Sequence, residues 1–185
     1  ANLTLAVTAN SNAGIFWDGG ATTTNWADEL NWSNDLAPTS ASTLYIGSGA
    51  GTVFVTAGSQ SANVVTSDAN FTLSGGSLTL AGASTFRGTT SISSGTLTGT
   101  GAITIATGGT LNWSGGTMDG TAASTLTTQT GSTSNVTGGT LGLNRTWNNS
   151  GTLNITPATW TKTGSLNHAA GILNLNGAFA TANMF

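Results

Sequence analysis

Few side chains in this 185-residue sequence can act as acids, bases, nucleophiles or metal ligands: six Asp or Glu, three Lys or Arg, one His and no Cys. Hydrolysis of a glycoside normally uses two carboxylates about 5–9.5 Å apart. Beyond residue 40 the only acids are Asp68 and Asp119, which lie 51 positions apart in the sequence. A lyase needs a basic residue beside acidic Ca²⁺ ligands, and Arg87, Arg145 and Lys162 have no acidic cluster near them. We therefore expect no enzymatic activity and no cofactor.

The other candidates for metal binding are better explained by other roles. His168 is a single imidazole and cannot form a multi-histidine site, so we expect an outward-facing polar residue on a strand. Asp18, Asp28, Glu29 and Asp35 carry the oxygen ligands that Ca²⁺ prefers, but their spacing matches no calcium loop. We interpret these four acids as solvated charges and as caps of a short turn, and we predict no metal site.

Three tryptophans are the best candidates for ligand binding. Trp17, Trp26 and Trp32 lie close together in the sequence. An exposed indole ring can stack on sugars, because its faces are apolar and its N–H group is a hydrogen-bond donor. A cap over the end of a repeat fold also needs large apolar side chains. We favour core packing for all three and retain them as candidate ligand-binding residues.

The composition excludes several classes of protein. Only 5% of the residues are charged, against roughly 25% in an ordinary soluble domain. Three cations cannot replace the counterions of a nucleic acid, and no apolar run approaches the roughly 20 residues of a membrane-spanning helix. The absence of cysteine excludes a disulfide scaffold. Abundant Thr together with six Trp and six Phe favours a packed β-rich interior over disorder.

Short strands with period-two alternation fill the sequence. Apolar residues recur two positions apart with a small or polar residue between them, so the apolar pair faces one side of the strand. Gly-rich breaks such as Gly75-Gly76 and Gly138-Gly139 separate the strands. The predicted core consists of Leu78, Leu80, Ile103, Ile105, Leu111, Leu141, Leu143, Leu153, Ile155, Leu173 and Leu175.

The spacing between these pairs indicates a stack of coils. Leu153 and Leu173 are 20 residues apart, and Leu126, Trp147 and Leu166 are separated by 21 and then 19 residues. Such steps suit a coil of three short strands and three turns. A β-sandwich is the rival fold, but its strands usually recur every 8–12 residues. We predict an all-β parallel β-helix, with an N-terminal cap over residues 1–40 and a repeat region over residues 41–185 that is truncated at its C-terminal end.

The polar positions of the strands predict ladders on the outer surface. Asn112, Asn154, Asn167, Asn174 and Asn176 each follow a leucine, which places them on the opposite side of the strand. Stacked Asn side chains can hydrogen-bond to one another along the coil axis. An ice-binding face would need a regular Thr-x-Thr array in every coil, and the pattern of Thr96, Thr98 and Thr100 is expected to be local, without recurring in register.

Residues 75–101, GGSLTLAGASTFRGTTSISSGTLTGTG, closely resemble the passenger-associated β-strand repeat of bacterial autotransporters. The resemblance rests on a Gly-Ser-Leu strand, an aromatic residue before a Gly-Thr-Thr turn, and a Gly-Thr-Leu strand. It is carried by Leu78, Leu80, Phe86, Gly88, Thr89, Thr90, Ile92, Gly95, Thr96 and Leu97. Residues 106–177 are similar to the degenerate repeats of filamentous-haemagglutinin-like surface proteins. The resemblance implies a right-handed parallel β-helix that is exported and located outside the cell or on the bacterial surface.

We therefore expect a structural protein that serves as a stalk, a scaffold or a self-assembling filament or surface-layer subunit. Its expected partner is a second copy of the chain, bound through the chain ends or the lateral faces. The alternative is an adhesin or carbohydrate-binding module that binds surface glycans. A polysaccharide-degrading enzyme is the third hypothesis and is opposed by the lack of paired carboxylates. We expect no nucleic-acid partner and no membrane insertion by this chain.

Overall fold

The computed structural model describes residues 14–121, 123–156 and 159–177. These residues form 21 short strands in three sheets, and all the pairings between strands are parallel. From β2 onward, successive strands belong to different sheets, so the chain winds through all three sheets before it returns to the first. This arrangement is a parallel β-solenoid of about seven coils, which confirms the predicted fold class.

The strands are two to four residues long and are grouped here by sheet. Sheet I contains β1 (Ile15–Phe16), β2 (Thr43–Ile46), β5 (Val64–Ser67), β8 (Ser84–Phe86), β11 (Ile103–Ile105), β14 (Thr125–Thr128), β17 (Thr146–Asn149) and β20 (Leu166–His168). Sheet II contains β3 (Thr52–Val55), β6 (Asn70–Leu73), β9 (Thr89–Ile92), β12 (Thr110–Trp113), β15 (Thr133–Val136), β18 (Thr152–Ile155) and β21 (Ile172–Leu175). Sheet III contains β4 (Ser59–Ala62), β7 (Ser77–Leu80), β10 (Thr96–Thr98), β13 (Gly116–Met118), β16 (Thr140–Leu143) and β19 (Thr159–Lys162).

The coil length is close to the value predicted from the leucine spacing. Leu153 pairs with Leu173, and Trp147 pairs with both Leu126 and Leu166, as the steps of 20, 21 and 19 residues require. From β2 onward, the steps between paired residues range from 18, between Thr52 and Asn70, to 25, between Thr117 and Gly142. A longer loop between strands therefore lengthens a coil without shifting the stack out of register.

The predicted core is buried over most of the solenoid. Nine of the eleven predicted core residues, from Leu78 to Ile155, are at most 1% exposed. The prediction is wrong for Leu175, which is 45% exposed, and Leu173 is only partly buried. Both lie in β21, which is paired on one side only, with β18, among the described strands. A core side chain in a solenoid is buried by the coils on both sides of it, so these two are less covered.

One line of inward side chains runs the length of sheet I, and we call it the inward column. Its members are paired in register from coil to coil: Ile46, Ser67, Phe86, Ile105, Thr128, Asn149 and His168. Six of the seven are buried, and His168 is half-buried. The inward column therefore changes from mainly apolar to polar along the axis.

Glycine is needed at corners where neighbouring coils touch. Gly76 has a φ of +64°, and a Cβ atom there would lie 2.3 Å from the carbonyl oxygen of Gly58. One coil later Gly95 has a φ of +78°, and its Cβ would lie 2.6 Å from the carbonyl oxygen of Gly76. A positive φ and backbone contact at this distance both exclude other residues. The Gly-rich breaks of the sequence are therefore corners of the solenoid.

The N-terminal part of the described chain is joined to the first coils. Strand β1 pairs with β2 in sheet I. Two short 3₁₀ helices, η1 (Glu29–Asn31) and η2 (Ser48–Ala50), lie before and after β2 in the sequence. Residues 1–13 of the predicted cap and the last eight residues of the predicted repeat region lie outside the described residues. The boundary at residue 40, the cap and the C-terminal truncation remain predictions.

Candidate functional site

Two of the three candidate tryptophans are core residues. Trp26 and Trp32 are completely buried, with ring centroids 5.0 Å apart in an edge-to-face arrangement. The indole N–H of Trp32 donates to the carbonyl oxygen of Trp26 at 2.8 Å. Trp26 also contacts the ring of Phe71 inside the first coils. Neither tryptophan can present a ring face to a sugar, so both fit the core-packing interpretation.

Trp17 differs from these two residues because it is only partly buried. Its ring meets Trp32 edge-to-face at 5.1 Å. It also lines a cleft of about 460 Å³ between the 17–24 segment and the turn at η2. The other residues that line the cleft are Asp18, Gly19, Ala21, Thr22, Thr23, Thr24, Gly47, Gly49 and Ala50. Ligand sites for small molecules have volumes of about 300–1,000 Å³, so this cleft is the principal candidate site.

Backbone hydrogen bonds hold the Trp17 side of the cleft in place. Trp17 forms an antiparallel bridge with Trp32, and its N–H donates to the carbonyl oxygen of Tyr45 at 2.9 Å. The N–H of Asp18 donates to the carbonyl oxygen of Asn31 at 3.0 Å. The bridge and both hydrogen bonds connect the segment to the folded solenoid, so the wall of the cleft has a defined backbone position.

Asn31 is a buried polar residue that the sequence interpretation did not single out. Its side-chain amide donates to the carbonyl oxygen of Asn25 at 3.0 Å, and its Oδ1 accepts from the N–H of Ala21 at 3.3 Å. Asn31 therefore bridges two points of the loop that forms the cleft. Asn31 is fully buried, and a buried amide is stable only when it is hydrogen-bonded.

The cleft has little charge. Among the described residues that line it, Asp18 is the only one with an ionisable side chain. Asp18 Oδ1 accepts from the N–H of Gly20 at 3.1 Å. Thr23 donates to Asp28 at 2.9 Å, so the Asp28 carboxylate stabilises the loop. The other lining groups are hydroxyls, backbone and small side chains.

A second cavity, of about 390 Å³, lies beside the buried Arg145. The guanidinium donates to the carbonyl oxygens of Asp119 and Thr125, with 3.0 Å between Nε and the Asp119 oxygen. Burial lowers the pKa of Arg145 to about 10, and the nearby Asp119 carboxylate opposes that shift. Since its side-chain hydrogen bonds are made to main-chain oxygens, Arg145 connects neighbouring coils and is not arranged to bind an anion.

The acidic residues of the repeat region lie in different surroundings. Asp68 forms an exposed ion pair with Arg87 at 3.3 Å, and Asp119 accepts from the side-chain amide of Asn144 at 3.2 Å. Over the described ranges, no group of three His, Cys, Asp or Glu side chains is close enough to hold a metal ion. That the chain has no enzymatic activity remains a prediction.

Sheet II has an asparagine ladder on its outer face. Asn135 donates to Asn112 at 2.9 Å, Asn154 donates to Asn135 at 2.8 Å, and Asn174 donates to Asn154 at 2.7 Å. The ladder was predicted from Asn112, Asn154 and Asn174, but Asn135 follows a serine and was missed. Asn167 belongs to sheet I, where it donates to Asn148 at 3.0 Å.

Sheet III has rows of hydroxyl groups on its outer face. Thr96 and Thr98 pair with Ser77 and Thr79, which pair in turn with Ser59 and Ser61. The Thr-x-Thr pattern itself does not recur in register, as expected, because Ser77 lies opposite Thr96, and Ser59 and Ser61 follow one coil further. Serine replaces threonine in the neighbouring coils, which hid the repeat from a search for Thr-x-Thr. None of these six hydroxyls hydrogen-bonds through its side chain to another described residue.

His168 points inward, contrary to the prediction of an outward residue. It pairs with the buried Asn149, whose amide nitrogen lies 2.7 Å from Nδ1 of the imidazole. Thr128 donates to Asn149, and the indole N–H of Trp147 donates to Thr128 at 3.1 Å. The alternation of the strand could have placed His168 correctly, because Leu166, two positions earlier, lies on the same face.

Comparison with protein-family models, with curated proteins and with solved structures gives no match for this chain. None of the helices among the described residues has the length and hydropathy needed to cross a lipid bilayer.

Proposed function

We propose that this chain is a structural β-solenoid of an exported bacterial protein, where it serves as a stalk, a scaffold or a subunit that assembles with its own copies. The observation that carries the proposal is the lack of charge on the strands. Lys162 in β19 is the only Asp, Glu, Lys or Arg in the 21 described strands. The resemblance of residues 75–101 to autotransporter passengers supports export and an extracellular position.

A solenoid is stabilised by the pairing of neighbouring coils. Each coil pairs with its neighbours, so length is added without a larger core. Soluble β-proteins commonly use charged side chains to prevent sheets and edges from associating. The outer faces of this solenoid have hydroxyl and amide groups where such proteins have charged side chains. These groups both donate and accept hydrogen bonds, so the face of one copy is complementary to the face of another.

The outer face of sheet III is the preferred contact between copies. Its six hydroxyls, on Ser59, Ser61, Ser77, Thr79, Thr96 and Thr98, form two parallel rows across three strands. Neighbouring hydroxyls along a row are about 4.8 Å apart, which is the strand spacing. The asparagine ladder of sheet II differs because its amides already hydrogen-bond to one another. Unpaired hydroxyls gain more from a partner than amides that are already paired.

Sedimentation velocity over a range of protein concentrations tests this proposal. We expect assemblies heavier than the 18.3 kDa chain, and we expect Thr79→Lys/Thr98→Lys to shift them toward the single chain. A control with two lysines at exposed loop positions, Thr56→Lys/Ser93→Lys, should assemble like the natural sequence. A single 18.3 kDa species at every concentration would contradict assembly, and equal effects of the two double variants would contradict the sheet III contact.

Adhesion to surface glycans is the second candidate function. The observation that favours it is the cleft beside Trp17, which has the size of a small-molecule site and a partly exposed indole. A scaffold and an adhesin are compatible, since a binding site at one end of a rod leaves the lateral faces free. The two functions are separable by experiment because they use different surfaces.

A further inference from the structure

The cleft between the 17–24 segment and the turn at η2 has a consistent chemical character. It combines one indole ring, one carboxylate and several hydroxyl groups. We propose that this cleft binds a neutral carbohydrate, such as a short segment of an uncharged polysaccharide. The proposal rests on the adhesive second candidate function and does not depend on assembly between copies.

The indole and the polar groups suit the two kinds of surface on a sugar. A pyranose ring has an apolar C–H face that packs on an aromatic ring, and hydroxyl groups around its edge that need hydrogen bonds. Trp17 is the aromatic group, and it is held by its contact with Trp32 at 5.1 Å. Thr22 and Thr24 are exposed on the cleft wall, so their hydroxyls are available to a ligand.

Asp18 gives the cleft its strongest hydrogen-bond acceptor. Its Oδ1 accepts from the N–H of Gly20 at 3.1 Å, and its second carboxylate oxygen has no partner among the described residues. A carboxylate forms charge-assisted hydrogen bonds to sugar hydroxyls, which are stronger than bonds between neutral groups. Asp18 therefore orients the ligand as well as contacting it.

The single negative charge of the cleft disfavours acidic sugars. Among the described lining residues no Lys, Arg or His accompanies Asp18. An acidic sugar would bring its carboxylate or sulfate close to Asp18 without a cation between them, and like charges at short range repel. The same cleft accepts an uncharged hexose without that cost.

The cleft is formed before any ligand arrives. The Trp17 and Asp18 backbone groups hydrogen-bond to Tyr45 and Asn31, and the Asn31 side chain bridges the loop from the inside. Fixing a binding surface in advance lowers the entropy that binding must remove.

Gly49 offers a way to block the cleft without removing a contact. A Cβ atom at Gly49 would have no atom within 4 Å, and its φ lies outside the left-handed region. Gly49→Phe therefore adds a ring to the cleft wall in open space. Thr137→Phe, at an exposed position in the repeat region, is the matched control. Asp18→Ala removes the carboxylate. Trp17→Phe keeps an aromatic contact with Trp32 but reduces the ring area on which a sugar can stack.

The experiment measures binding of purified chain to an array of neutral oligosaccharides built from glucose, mannose, galactose or N-acetylglucosamine, beside uronic-acid and sulfated oligosaccharides. Affinities of the hits are then measured by calorimetry. We expect binding to neutral members, a loss of at least tenfold in Gly49→Phe and in Asp18→Ala, a smaller loss in Trp17→Phe, and no change in Thr137→Phe.

Two results would overturn the proposal in different ways. If neutral oligosaccharides do not bind, or if acidic ones bind better, the assigned ligand class is wrong. If a neutral oligosaccharide binds equally to the natural chain and to Gly49→Phe and Asp18→Ala, adhesion stands but the glycan site lies elsewhere. Circular dichroism of each variant checks that its β-structure is retained, so that a loss of binding is assigned to the cleft.

Discussion

The inward column of sheet I is built in two ways along the axis of one solenoid. In the earlier coils Ile46, Phe86 and Ile105 are packed as apolar side chains, and each is 1% exposed. In the later coils Thr128 and Asn149 occupy the equivalent positions and are equally buried. Both halves lie on the same face of one sheet. An inward position in this fold therefore accepts an apolar side chain, or a polar one whose hydrogen bonds are satisfied by the residues around it.

The two halves are stabilised by different forces. Phe86 packs against Phe71 with ring centroids 5.5 Å apart, so the early half gains from burial of apolar area and from dispersion. The stability of the late half depends on the direction of its hydrogen bonds, because Trp147 donates to Thr128 and Thr128 donates to Asn149. Asn149 then donates to the carbonyl oxygen of Gly151 at 3.1 Å. Volume matters most in the early half, and donor–acceptor order matters most in the late half.

The largest effect is expected from removing volume in the apolar half. Phe86→Ala should lower the free energy of unfolding by about 3–5 kcal/mol, because it leaves a cavity between tightly packed coils. Urea denaturation followed by circular dichroism measures the change. Phe16→Ala is the matched control, since Phe16 lies on the same sheet but is 54% exposed, and its effect should be below about 1 kcal/mol. Equal losses in the two variants would refute the role of Phe86 packing.

A smaller effect is expected from breaking the hydrogen-bond order in the polar half. Asn149→Leu keeps a similar volume but leaves the Thr128 hydroxyl and the Gly151 carbonyl without their partner, so we expect a loss of about 2–3 kcal/mol. Thr128→Val alone should also destabilise the chain, because the indole N–H of Trp147 loses its acceptor.

The double variant Thr128→Val/Asn149→Leu distinguishes a coupled network from two independent contacts. We expect it to lose less stability than the sum of the single variants, with a coupling of about 0.5–3 kcal/mol. The four free energies of unfolding complete the cycle. Strict additivity would mean that the polar half is a set of separate hydrogen bonds, and the contrast with the apolar half would weaken.

The smallest effect is expected at Ser67, the polar exception in the apolar half. Its hydroxyl donates to the carbonyl oxygen of Ala69 at 3.1 Å, within its own coil. Ser67→Ala should therefore cost about 1 kcal/mol, the typical value for one hydrogen bond, with no coupling to Phe86. A loss as large as that of Asn149→Leu, measured by the same urea denaturation, would show that Ser67 belongs to a network like the one in the late coils.

The fold could be predicted because its signal is repeated many times. The 20-residue step between Leu153 and Leu173 and the alternation at Leu78 and Leu80 are confirmed by the register and the burial of those strands. Each coil repeats the same physical requirement, so an exception such as the exposed Leu175 does not obscure the pattern. The autotransporter resemblance and the exported location remain predictions.

The polar interior could not be predicted from alternation. A buried Asn149 and an outward Asn148 look alike in the sequence, because the partners that satisfy an inward amide come from other coils. Arg145 is a similar case, since its hydrogen-bond acceptors are main-chain oxygens of residues 20 or more positions away. The candidate cleft was predicted only through Trp17, because Gly47 and Gly49 join it through the turn at η2 and have no side chains to signal a site.

Electron microscopy of negatively stained protein across a concentration series tests the structural role most directly. We expect ordered fibres, sheets or bundles that grow with concentration, and we expect the Thr79→Lys/Thr98→Lys variant to remain as separate particles. Isolated short particles of the natural sequence at every concentration would contradict assembly as its function, and would leave the glycan cleft as the better account of this solenoid.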